Sequence, residues 1–264
     1  MKSYLYGLAG VALATSAQAG VYNATLVEDT YIASTNPGTN FATAAAGESS
    51  RFIQIRAVSA ATRAGFIQFT LPAIPANEQV TKVELSLKGG AVSADFPDVE
   101  ILATTSAIDL TTITWNTAIS GGFLDGDGRE GDYTPDFSNL WTSFASEPFN
   151  IDSITTTNTL VYTDTTPASG LLKFVSDIIG AAPQTFTLAF GFATTETETS
   201  FVAQFRSTND NGGAGYAPGG PNGPVLTITT EVVAPVPEPA AAGLVFVTAA
   251  MLHCRRRRQS GEVS

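Results

Sequence analysis

Thr81-Lys82-Val83-Glu84-Leu85-Ser86-Leu87-Lys88 alternates without a break. In an extended chain Val83, Leu85 and Leu87 fall on one side and Lys82, Glu84, Ser86 and Lys88 on the other. That period of two marks a strand with one buried face. Thr185 to Phe192 repeats it, with Phe186, Leu188, Phe190 and Phe192 sharing a face. Further strand candidates are residues 52–58, 65–70, 99–104, 159–162, 201–206 and 225–230. Gly, Pro, Asn and Asp clusters such as Asn36-Pro37-Gly38 and Gly89-Gly90 read as the punctuation between them. Threonine, common throughout, suits a pleated and half-exposed surface. A single helical pattern stands out, Leu171–Ile179, where Leu171, Phe174, Val175 and Ile178 share a face. Strands and helices do not alternate, which excludes a parallel α/β sheet. The fold expected is all-β: one antiparallel β-sandwich of about eight to ten strands, arranged as a jelly roll.

The chain has 264 residues, with 13 Lys+Arg against 24 Asp+Glu, one His and one Cys. An acidic chain of this kind lacks the basic surface that nucleic acid requires. A lone cysteine and a lone histidine exclude a disulfide scaffold and the common structural zinc sites.

The two ends read as addresses. Residues 1–19 carry Lys2, an apolar stretch from Leu5 to Ala14, and Ala17-Gln18-Ala19. This is the three-part order of a secretory leader, cut by signal peptidase after Ala19. At the other end, a linker at 231–235 precedes Val236-Pro237-Glu238-Pro239. An apolar run from Ala240 to Leu252 follows, then His253-Cys254, the cluster Arg255, Arg256, Arg257 and Arg258, and a short tail at 259–264. Arginines beyond an apolar segment stay on the cytoplasmic side. The segment 236–258 resembles the PEP-CTERM sorting signal. That resemblance implies an exosortase as partner, a short apolar helix as a transient inner-membrane anchor, and a final location at the bacterial cell surface or in an exopolysaccharide matrix.

Locating these ends changes the composition of what lies between them. His253, Cys254, Lys2 and four arginines all belong to the termini, so residues 20–236 keep eight basic residues against 22 acids, hence −14. With no His or Cys there, a Ser-His-Asp or Cys-His nucleophile cannot be assembled. Carboxylate-based glycan hydrolysis and oxygen-ligand metals remain open.

The order of motifs in the central part resembles the DNRLRE domain, a module grouped with carbohydrate-binding module family 96. Glu28-Asp29-Thr30-Tyr31-Ile32 opens it, Asn36 to Phe41 follows, and Arg63 to Pro75 leads into the alternating strand. Ile113-Thr114-Trp115-Asn116 comes later, and Phe205-Arg206-Ser207 precedes the last strand. The resemblance spans residues 22–230 and implies a jelly roll that binds extracellular polysaccharide without catalysis. The hexapeptide that names the domain is absent, and Thr208-Asn209-Asp210 stands where the family has Glu.

Two local features suggest chemistry. In the run Leu124 to Asp132, the acids Asp125, Asp127, Glu130 and Asp132 are spaced by glycines that permit sharp turns, so their oxygens can converge on a hard cation; calcium is the candidate cofactor. Trp141, with Tyr133 nearby and Tyr216 in the Gly/Pro loop 211–224, offers flat rings on which a sugar could stack. Trp115 reads as a packing residue. The site set is completed by the processing residues Ala17, Ala19, Val236, Pro237, Glu238 and Pro239. The sequence therefore supports an exported module that binds polysaccharide. A ligand-free coat component and a carboxylate-based glycan-degrading enzyme are the alternatives.

Overall fold

The computed structural model describes residues 20–42, 51–58, 61–92, 99–129, 135–144, 158–180, 182–192, 200–210 and 220–233. Within them the chain forms β1 (Gly20–Asn23), β2 (Thr25–Ala33), β3 (Phe52–Val58), β4 (Arg63–Leu71), β5 (Glu78–Val92) and β6 (Val99–Thr104). There follow α1 (Trp115–Ser120), β7 (Leu124–Arg129), β8 (Pro135–Phe137), β9 (Thr142–Ser143) and β10 (Thr159–Asp164). The chain then forms α2 (Gly170–Ile178), β11 (Gln184–Phe192), β12 (Ser200–Arg206) and β13 (Val225–Val232). Every pairing is antiparallel. One curled sheet of 11 strands runs β1-β13-β5-β12-β3-β4-β11-β6-β9, with β10 also on β5 and β2 also on β4.

The curl is made by β5, which is 15 residues long. Up to Lys88 it lies between β13 and β10; from Gly89 it pairs with β12. Gly89-Gly90, expected to end a strand, instead marks where one strand changes partner. A Cβ at Gly90 would lie 2.9 Å from Phe52 Cδ1 and 3.0 Å from the Gln204 carbonyl oxygen. Only a residue without a side chain lets the walls cross so closely.

The two walls face each other across a core of Phe69, Phe186, Leu188, Phe190 and Phe205 against Val83, Leu85, Leu87, Leu226 and Ile228. Val83, Leu85 and Leu87 of β5 and Phe186, Leu188 and Phe190 of β11 are the inward positions of the two strands whose alternation was plain in the sequence. Leu171, Leu172 and Val175 of α2 close the same core, and α2 sits one residue from its expected place. Asp164 helps hold it: one carboxylate oxygen accepts the Thr166 amide at 2.8 Å and the other the Leu172 amide at 2.7 Å.

The strands β4, β11 and β6 are covered on their second face as well. Ile32, Ala64, Phe66, Leu102 and Ala189 pack there against Trp115, Ala118, Leu124 and Trp141. This double cover explains why β6 is buried at all six positions. It also explains a count of strands above the expected eight to ten, since 13 are formed among the described residues. The additional ones are short or lack alternation: β2 ends in five consecutive buried residues, and β7 is the glycine- and aspartate-rich Leu124–Arg129. Trp115 opens α1. Thr114 caps that helix, its hydroxyl oxygen accepting the Thr117 amide at 3.2 Å while Thr117 Oγ1 accepts the Thr114 amide at 2.7 Å. Among the described residues no helix is long and apolar enough to cross a membrane.

Candidate functional site

Several of the expected site residues lie outside the described residues: Ala17, Ala19, Glu130, Asp132, Tyr133, Tyr216, Val236 to Pro239 and Arg255 to Arg258. Trp141, Asp125 and Asp127 are described, and the structure separates them in role.

Trp141 is a core residue and offers no stacking platform. It is 7% exposed, and its ring centroid lies 5.8 Å from that of Phe66 and 5.6 Å from that of Phe137. Its Nε1 donates to the Phe123 carbonyl at 2.9 Å. Phe66 and Phe123 reach the ring from other parts of the chain and Phe137 from four residues before it, so a segment that reads as a mostly polar loop buries its tryptophan. Trp115 packs as expected, 3% exposed, with Nε1 donating to the Asp127 carbonyl at 3.1 Å. A Cβ at Gly128 (φ +79°) would come within 2.8 Å of its ring.

Asp125 and Asp127 are exposed on β7, with Asp136 opposite on β8. The Asp136 carboxyl is held above the usual carboxylate range by desolvation and by the charges of Asp125 and Asp127. Among the described residues no group of three such side chains is arranged to hold a metal ion.

The chemistry concentrates instead on the outer face of β3 and β12. In β3, Ile53, Ile55 and Ala57 point into the core, so Phe52, Gln54 and Arg56 point away from it. Directly paired residues share a face, which puts Arg206 beside Phe52, Gln204 beside Gln54 and Val202 beside Arg56. At the mouth of the β3–β4 hairpin, Arg63 stands directly opposite Arg56. From Phe52 to Arg56 the strip is about 13 Å long at the usual rise per residue. It gathers Arg51, Arg56, Arg63 and Arg206, which are four of the five arginines in residues 20–236.

The two ends of the strip differ. At the Arg51 end the charge is compensated. Asp210, 1% exposed, accepts Arg51 Nε at 3.1 Å and Nη2 at 2.8 Å on one oxygen, and Arg206 Nη1 at 3.1 Å and Asn222 Nδ2 at 3.0 Å on the other. Lys88 Nζ donates to Asn222 Oδ1 at 2.5 Å, and Phe52 lies beneath both guanidiniums, at 5.8 Å from Arg51 and 5.1 Å from Arg206.

At the other end the charge is not compensated. Arg56 and Arg63 are half-buried like charges directly across a strand pair, and neither meets a carboxylate among the described residues. The Nε atoms of both are buried without a hydrogen-bond partner. Arg63 donates through Nη1 to Gln54 Oε1 and lies 5.4 Å over the Tyr31 ring, itself stacked on Phe41 at 4.2 Å. Desolvation holds the Arg63 guanidinium below its ordinary pKa; Tyr31 opposes this and the charge of Arg56 adds to it. Like charges directly opposite are destabilising. An anion laid between them would satisfy both.

The same signal was present in the sequence at the outward positions 52, 54 and 56 of a strand already expected. The partner strand β12 lies some 150 residues further along, so the strip could not be assembled from spacing alone.

Residues 21–123 match the family model of carbohydrate-binding module family 96. The match spans β1 to β6 and α1, and so includes Arg51, Phe52, Gln54, Arg56 and Arg63; β12, with Gln204 and Arg206, lies beyond it. Over that stretch the chain is similar to carbohydrate-binding modules, and the rest of the 22–230 span expected from the sequence is not matched. No curated protein matches the chain.

Beneath the strip's Arg51 end lies Asp29, 1% exposed, from the Glu28 to Ile32 motif. Its Oδ2 accepts the Thr208 amide at 2.8 Å, while Oδ1 is buried with no partner. Desolvation pushes this carboxyl up to about 7; the Thr208 amide and Ser207 oppose the rise and the charge of Glu28 adds to it. Because the folded value lies above the unfolded one, the contribution is fully present below about pH 4 and is lost as pH rises toward 7. The expected result is a fall in stability of a few kcal/mol over that interval in the native protein. In Asp29→Asn this fall is largely absent, as denaturant titrations at pH 4, 5.5 and 7 would show. Parallel pH profiles would contradict the assignment.

Proposed function

We propose that this chain is an exported, non-catalytic polysaccharide-binding protein of the bacterial cell surface or extracellular matrix, and that its β3–β12 strip binds acidic glycans. The leader at 1–19 delivers it through signal peptidase. The PEP-CTERM-like segment at 236–258 hands it to an exosortase after a transient stay in the inner membrane. The likeness to carbohydrate-binding module family 96 supports the ligand class.

One observation carries the choice of an acidic glycan: the Arg56–Arg63 pair, half-buried and without a counter-carboxylate among the described residues, in a domain of strongly negative charge. A solvated surface would scatter its arginines among acids. Here four arginines gather around one strand pair: Asp210 holds Arg51 and Arg206, while Arg56 and Arg63 meet no carboxylate among the described residues. A polyuronate chain along the strip would present carboxylates to the guanidinium forks, which match them in bidentate fashion. Gln204 would meet ring hydroxyls, while Gln54, 4% exposed, holds Arg63. With this strip, the domain's overall negative charge does not require calcium as a bridge to the ligand, and the Asp125–Asp127 hairpin has no part in the binding proposed.

Affinity measured on arrays or by calorimetry tests the proposal. Polyuronate is expected to bind and a neutral glucan of equal length to bind far more weakly, with affinity falling as salt rises. No binding to any glycan would leave the coat-component reading standing. Release of reducing sugar or unsaturated uronate would favour the enzymatic one.

A further inference from the structure

Among the described residues the first strand opens at Gly20, the residue that cleavage after Ala19 would expose. Gly20 opens β1 and pairs with Thr230 of β13. No side chain fits there. A Cβ on Gly20 would lie 2.6 Å from Thr230 Oγ1, 2.6 Å from the Tyr22 ring and 2.8 Å from Glu78 Oε2. Since nitrogen and Cβ share the same Cα, that oxygen is within roughly 5.3 Å of the Gly20 nitrogen.

Glu78 is half-buried and gathers hydroxyls. It accepts Tyr22 Oη at 3.1 and 2.9 Å on its two oxygens, and Thr230 Oγ1 on Oε2. It has no lysine or arginine partner among the described residues. The hydrogen bond to Glu78 and the charge of Glu78 both raise the Tyr22 phenol, as an uncompensated carboxylate does. A carboxylate so placed lacks only a cation.

We propose that Glu78 is the receptor for the mature amino terminus: cleavage after Ala19 creates an ammonium at Gly20 that pairs with Glu78 and fastens β1 to the sheet edge. The inference rests on the cleavage position given under Proposed function. In the cut, water breaks the Ala19–Gly20 amide. Ala19 leaves as a carboxylate, and the Gly20 nitrogen keeps the electron pair and takes up protons to become an ammonium. An amide offers one N–H, whereas an ammonium offers three, so one can continue the ladder to β13 while another faces Glu78. The uncut chain has no charge at this nitrogen, so processing and edge-strand stability are coupled.

The sign of the pH effect follows. An α-amino group titrates near 7.7–8.0 when unperturbed, and Glu78 raises it in the folded state. Its contribution is fully present below about pH 7.7 and is lost as pH rises through the folded value.

The test uses the full exported chain and a four-protein cycle. Intact mass of the exported protein first fixes both ends, with a start at Gly20 and an end near Glu238 expected. The chain starting at Gly20, with a free or an acetylated amino terminus, is then compared in Glu78 and Glu78→Gln backgrounds by thermal unfolding. At pH 7, acetylation is expected to lower the melting temperature by about 2–4 °C with Glu78 present and by much less with Gln, and the Glu78 gap is expected to close above pH 9. Equal losses in both backgrounds, or a gap that ignores pH, would overturn the pairing. A mass starting elsewhere would overturn the leader assignment, while the cycle on the Gly20 chain would still decide the role of Glu78.

Discussion

Replacing Arg56 and Arg63 together by glutamine is expected to weaken polyuronate binding by about 100-fold or more while leaving the protein as stable or more so. Each guanidinium–carboxylate hydrogen bond contributes about 1.5–3 kcal/mol, and a factor of ten corresponds to about 1.4 kcal/mol. The stability arm has the opposite sign because the pair stands directly across two strands with no counter-charge among the described residues. Relieving a like-charge cross-strand pair returns about 0.2–1 kcal/mol. Single substitutions should fall between, with Arg63→Gln also losing the contact over Tyr31 and the hydrogen bond to Gln54. Calorimetric titration and thermal unfolding of the same variants check both arms. A residue kept for packing would lose stability on removal; a residue kept for binding would not.

The second large effect is expected at the other end of the strip, with the arms reversed. Asp210→Ala removes the only carboxylate that Arg51, Arg206 and Asn222 share among the described residues. Leaving partly buried guanidiniums without their partner costs about 3–5 kcal/mol. In a domain of this size that lowers the melting temperature by roughly 10 °C. At a temperature where the variant is still folded, its polyuronate affinity is expected to hold or rise, since two positive charges on the strip are no longer neutralised. Asp210→Asn should lose less stability, because the amide oxygen still accepts from one guanidinium. If Asp210→Ala unfolds no earlier than the native protein, the compensated end is not what anchors the turn after β12.

How far each part of the molecule was legible in the sequence follows from where its determinants lie. The strands β5 and β11 and the helix α2 were readable because their buried faces are local patterns of period two or of period 3.6. The partner change at Gly89-Gly90 was not readable, because its cause is the Phe52 ring and the Gln204 carbonyl, both far away in sequence. Trp141 misled for the same reason: its mostly polar segment suggested an exposed loop, while Phe66 and Phe123 converge on it from elsewhere and Phe137 folds back from four residues before it. The strip was half legible. Phe52, Gln54 and Arg56 stood at outward positions of an expected strand, yet only the pairing with β12 and the hairpin to β4 bring Arg206, Gln204 and Arg63 alongside. The low count of basic residues, which speaks against nucleic acid, matters less for an acidic glycan than where those residues are placed.

The most direct measurement is nitrogen-detected titration of the arginine side chains in the full mature chain with a short polyuronate of defined length. The Nε–H signals of Arg56 and Arg63 are expected to move first and furthest, those of Arg51 and Arg206 less, and that of Arg129 on the acidic hairpin not at all. Unmoved Arg56 and Arg63 signals at saturating polyuronate, or movement confined to Arg129, would contradict the strip as the binding face.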